Sequence, residues 1–115
     1  MIWPDFVAPP KFTPQPDGWE DPRLPDFRLI WRVARECGYS VGLHGSMRRD
    51  CDLIAAPWTD EAHPAESLVD ALCKALNAQV VGGIVEKPHG RRALCLQIDG
   101  WFKVIDLSVL PRIAP

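Results

Sequence analysis

The sequence predicts an α+β domain, a small mixed or antiparallel sheet with two helices packed on it. Three observations carry that expectation. Apolar residues recur with a helical period in two stretches and with a strand-like pattern in five others. The order is helix, strand, strand, helix, then three strands, which lacks the repeated βαβ crossovers of a doubly wound fold. A length of 115 residues is that of one domain. Such a chain buries roughly two-thirds of its unfolded surface, so a core forms without disulfides or a structural metal.

Residues 1–25 stand apart from this pattern. They hold seven of the twelve prolines, together with Trp3, Phe6, Phe12 and Trp19. Proline fixes φ and lacks a donor, so neither a regular helix nor a central strand forms there. The expectation is an extended proline- and aromatic-rich arm laid over a domain that occupies residues 26–115.

In the domain, Asp26 is placed to cap a helix that starts at Phe27. Phe27, Ile30, Trp31, Ala34 and Cys37 follow at the spacing of one buried face, with Arg28, Arg32, Arg35 and Glu36 mostly on the other side. Gly38 is the natural terminator. Tyr39 to Leu43 reads as a short strand, and Asp50 to Ala56 as a second, ended by Pro57. A second helix is expected over Pro64 to Ala78, with Pro64 at its first position and Leu68, Ala71, Leu72, Ala75 and Leu76 as its apolar stripe. Val80 to Glu86, Ala93 to Ile98 and Trp101 to Leu110 read as the last three strands. Asp99-Gly100 between the final two predicts a type I′ turn. Trp58 and Trp101 are expected as core or arm-docking aromatics.

Composition narrows the function. Thirteen basic against fifteen acidic side chains give a net charge of −2. That is the wrong balance for a broad duplex-binding footprint, though it leaves room for a local phosphate site. No apolar run approaches the ~20 residues of a membrane span, and the first residues lack the basic and apolar regions of a signal peptide. The expectation is a cytoplasmic protein that does not engage a membrane. Cys37, Cys51, Cys73 and Cys95 contain no C-x-x-C pair, and with His44, His63 and His89 they do not compose a zinc site.

The chemistry concentrates in Leu43-His44-Gly45-Ser46-Met47-Arg48-Arg49-Asp50-Cys51-Asp52-Leu53-Ile54. Strand alternation puts Asp50 and Asp52 on one sheet face. Two carboxylates so close resist joint ionisation unless a cation compensates them, and a hard divalent ion does so while keeping positions for phosphate oxygens. Gly45 and Ser46 offer a backbone amide and a hydroxyl, and Arg48 and Arg49 add cationic donors, a set suited to cradling a phosphate. Asp106 sits in the core-like stretch Val104-Ile105-Asp106-Leu107, where a carboxylate is costly unless paired, metal-bound or facing a cleft. If that strand lies beside the Asp50–Asp52 strand, three carboxylates converge, the arrangement of two-metal phosphoryl transfer.

Gly45-Ser46, Asp50-Cys51-Asp52 and the later acid of Val104-Ile105-Asp106-Leu107 resemble the DNA polymerase β-type nucleotidyltransferase superfamily, over roughly Tyr39 to Leu110. The element order resembles its minimal one-domain members. The resemblance implies Mg²⁺ or Mn²⁺ bound by Asp50, Asp52 and Asp106, a nucleoside triphosphate as substrate contacted by Ser46, and Asp106 helping to deprotonate a hydroxyl acceptor on a protein, a nucleic acid or a small molecule. The chain departs from the pattern in one place. Only Met47-Arg48-Arg49 separate Ser46 from Asp50, where the family usually has a longer segment. The alternative expectation is therefore a catalytically degenerate member of the fold that binds protein or nucleic acid.

Overall fold

The computed structural model describes residues 25–45, 50–101 and 103–112. The expected arm, apart from Pro25, lies outside the described residues, as do Ser46, Arg48 and Arg49 of the expected phosphate site. The fold is α+β: a five-stranded mixed sheet with two helices on it.

Helix α1 spans Phe27–Glu36, and the Asp26 carboxylate accepts from the Leu29 backbone N–H at 3.1 Å. That bond satisfies one of the donors a helix start leaves unpaired. Asp26→Ala is expected to cost about 0.5–2 kcal/mol, read from urea unfolding, because nothing in alanine replaces the cap. Gly38 follows with φ +86°, and a Cβ there would lie 2.7 Å from the Ala62 Cα. Both facts require glycine at the point where α1 hands over to the first strand.

Strand β1, Tyr39–Leu43, pairs antiparallel with β2, Cys51–Pro57, from Tyr39 opposite Pro57 to Leu43 opposite Leu53. Helix α2, Ala65–Leu76, is followed by β3, Ala78–Glu86. β4 and β5 are Arg92–Ile98 and Val104–Val109. The sheet order is β1-β2-β5-β4-β3, so the last strand is inserted at the centre. Its pairing with β2 is parallel and its pairing with β4 antiparallel.

Both helices pack on one face of the sheet. Ile30, Val33 and Ala34 of α1 and Leu68, Val69 and Leu72 of α2 meet Cys51, Leu53, Ala55, Leu94, Leu96, Ile105, Leu107 and Val109. The Tyr39 hydroxyl donates to the His63 carbonyl at 2.7 Å, giving this buried ring's polar end a partner. No helix among the described residues is long and apolar enough to cross a membrane.

Several expectations are corrected. β2 begins at Cys51, where its pairing with Ile105 of β5 begins, so Asp50 precedes the strand, and Pro57 closes it from inside. Pro64 caps α2 rather than opening it, and Asn77 ends that helix in the left-handed region, φ 53°, earlier than periodicity implies. The Asp99-Gly100 turn is not type I′, because only Gly100 has positive φ, +79°. The Trp101 N–H bonds the Ile98 carbonyl at 3.1 Å, which with a positive φ at the second central residue fits type II. The Gln97 side-chain amide donates to the Trp101 and Lys103 carbonyls, which holds the longer connection and delays β5 to Val104.

Two further findings concern tryptophans. Trp31 is 52 % exposed and Val33 takes the core place periodicity gave it, while Trp58 is 62 % exposed and so not a core residue; the arm that it was alternatively expected to meet lies outside the described residues.

Candidate functional site

Alternation along β2 and β5 turns Cys51, Leu53, Ile105 and Leu107 to the helices, and Asp52 and Asp106 to the other face. Parallel pairing then sets the register. Asp52 stands directly opposite Asp106 on adjacent strands, which in a sheet run about 4.8 Å apart. Both are half-buried. The condition for carboxylates to meet, that the Asp106 strand lie beside the Asp52 strand, is fulfilled.

The row continues across the sheet. Cys95 of β4 is the partner of Asp106 on its far side. Burial first, then the negative charges of Asp106 and Asp50, push the Cys95 thiol above its ordinary range. Asp50, just ahead of β2, therefore acts electrostatically on the same patch as Asp106, although it lies outside the ladder. On the helix side, burial and then Asp52 push the Cys51 thiol up to about 11. It is fully buried, and both effects disfavour its thiolate form.

Gly45 completes the described part of the site. After β1 the His44 N–H still bonds the Asp52 carbonyl at 3.0 Å, and Gly45 then turns with φ +77°. A Cβ on Gly45 would fall 2.6 Å from Asp52 Oδ2 and 3.0 Å from its Cγ. The backbone of the loop thus lies against the Asp52 carboxylate, and only glycine permits both the conformation and the approach. Gly45→Ala is expected to lose about 1–2 kcal/mol from the left-handed backbone alone. The clash further displaces Asp52 or the loop, so denaturant unfolding combined with cation titration reads both effects.

What this geometry can do follows from its charges. Among the described residues no group of three or more His, Cys, Asp or Glu side chains is gathered closely enough to hold a metal ion. The donor set on this face is the facing pair Asp52 and Asp106, with Asp50 nearby. Mg²⁺ is commonly bound through one or two carboxylates, with waters and substrate phosphate oxygens completing its shell, so a pair fits that mode of binding. His44 is not part of this set; its Nε2 lies 3.1 Å from the Leu53 carbonyl.

A second feature had no signal in the sequence. A cleft of about 330 Å³ opens near the far ends of β2 and β5, with Tyr39, Glu66, Arg92, Val109 and Arg112 on its walls. Arg92 is paired there with both Glu66 and Glu86. Arg92 and Glu66 lie 26 positions apart on different elements, so no spacing rule finds them. Their opposite charges satisfy one another across the cleft wall.

Comparison of the chain with protein-family models, with curated proteins and with solved structures gives no match in any of the three.

Proposed function

We propose that this protein is a minimal metal-dependent nucleotidyltransferase, moving a nucleoside monophosphate from a triphosphate to a hydroxyl acceptor. The observation that carries the reading is the register of Asp52 opposite Asp106, with the Gly45 backbone set against Asp52. In this reading Asp52 and Asp106 hold the divalent ion and Asp50 adds negative charge beside them. The ion, when bound, neutralises phosphate charge and polarises the reacting phosphoryl group. Asp106 takes the proton of the acceptor hydroxyl. The acceptor oxygen bonds the α-phosphorus as the bond to the bridging oxygen breaks, and pyrophosphate leaves. Gly45 and Ser46, with Arg48 and Arg49, would face the phosphates. A nucleic acid, a protein or a small molecule satisfies the acceptor's chemistry equally.

A second reading is a binding module on the same fold without turnover. It is favoured by the three-residue connection Met47-Arg48-Arg49 between Ser46 and Asp50, shorter than the segment usual in the family that the chain resembles. Incubation with α-³²P-labelled nucleoside triphosphates and Mg²⁺ or Mn²⁺, against pools of RNA, protein and polyol acceptors, separates the two. Label transfer with release of pyrophosphate supports transfer chemistry. Metal-dependent nucleotide binding with no label transferred to any pool favours the module.

A further inference from the structure

Helix α1 turns a second face to solvent that its core contacts do not use. Arg28, Arg32 and Arg35 are all exposed. At 3.6 residues per turn they fall, with Trp31, within an arc of about 100°, along about 10 Å of the helix. Among the described residues none of the three has an ion-pair partner, although Glu36 is four positions from Arg32. Elsewhere Lys74 pairs with Asp70 and Arg92 with two glutamates. Trp58, at the end of β2, stands in the same shallow groove.

The two indoles are 52 % and 62 % exposed, a large apolar area to leave in water. The Trp31 indole N–H donates to the Val41 carbonyl at 2.7 Å, which anchors the edge of the ring to β1. Trp31 also meets Phe27 edge-on, with ring centroids 5.2 Å apart. Its orientation is thereby set from two sides while half of the residue stays open. Unpaired guanidinium groups beside exposed aromatic rings are the two components of a surface for single-stranded nucleic acid, in which cations hold phosphates and rings stack on bases.

We infer that the Arg28–Arg32–Arg35 face of α1, with Trp31 and Trp58, binds single-stranded nucleic acid. An acidic peptide would match the charge but meets both open indoles only where it carries aromatic side chains, whereas every nucleotide brings a planar base. A duplex keeps its bases stacked inside, and the net charge of −2 gives no wider basic footprint to hold it. The face lies on the helical side of the sheet, away from Asp52 and Asp106, and the inference does not rest on the transfer reading.

Fluorescence anisotropy of a labelled oligothymidylate of about 16 nucleotides, with the full chain, tests it. Binding is expected to weaken roughly 20-fold between about 50 and 200 mM salt, as for three phosphate contacts on a single strand. Arg32→Glu with Arg35→Glu should lose at least tenfold, and Trp58→Ala roughly five- to hundredfold through lost stacking. Lys74→Ala, on α2 and away from this face, should bind as the wild type does. Circular dichroism checks each fold, and Arg28→Glu repeats the charge test if the double variant loses helix. Three results would overturn the inference: no binding by the wild type at about 50 mM salt, undiminished binding by a folded charge-reversed variant, or equal affinity for polyglutamate.

Discussion

Asp106→Asn is expected to keep the wild-type circular dichroism and to lose Mg²⁺-dependent nucleotide binding. Asparagine matches aspartate in shape and lies on the face away from the helices, so the core of Leu53, Ile105 and Leu107 is untouched. What disappears is one of two negative charges set opposite each other by the β2–β5 register. In the proposed reading a divalent ion would be held there by charge and oxygen donors, and an amide offers one neutral oxygen in place of a carboxylate. Metal-ion stabilisation of transferring phosphates is worth several kcal/mol, so a loss of about a hundredfold or more is expected in nucleotide affinity or transfer rate. Asp52→Asn should behave alike. The metal-free Asp106→Asn protein should show the reverse in stability: removing its charge relieves repulsion from Asp52 across the ladder, so it should be no less stable than the wild type at neutral pH. Urea unfolding in chelator, beside nucleotide titration in Mg²⁺, checks both halves.

Leu107→Ala has the opposite profile. Leu107 is fully buried on the central strand, one residue from Asp106 and pointing to the helices. Its removal leaves a cavity that the flanking strands β2 and β4 cannot close without breaking their ladders with β5. The expected cost is about 2–5 kcal/mol. A domain of this kind has only about 5–15 kcal/mol in total, so the variant should sit near the edge of folding. The urea midpoint should fall with an unchanged slope. Nucleotide binding by the fraction that remains folded should survive, which distinguishes damage to the scaffold from damage to the carboxylate face.

The parts of the fold written in local sequence were legible. Asp26 and Gly38 bracket α1 because a cap and a left-handed terminator are chemical requirements of the helix ends, and β1 follows at once from Tyr39. The boundaries that shifted depend on partners. Asp50 falls outside β2 because pairing with β5 starts one residue later, and β5 starts late because Gln97 holds a longer connection than Asp99-Gly100 alone implies. In the site, alternation was enough to put Asp52 on the face away from the helices, but Asp50 lies ahead of the strand and outside that alternation. The meeting of Asp52 with Asp106 was not legible in this way, since it depends on β5 inserting between β2 and β4, a choice made by the whole sheet. The contact of Gly45 with Asp52 is similarly a consequence of the β1–β2 register. Trp31 was misplaced because a residue flanking an apolar stripe has the right period for burial, and only packing against β1 decides between it and Val33.

The most direct test is calorimetric titration of Mg²⁺ or Mn²⁺ into the wild-type protein, with and without each nucleoside triphosphate, and into Asp106→Asn. Tight nucleotide binding that requires the metal and vanishes in the variant is the predicted result. Equal binding by both proteins, or no metal-dependent binding by the wild type, would contradict the assignment of a working site to the Asp52–Asp106 pair.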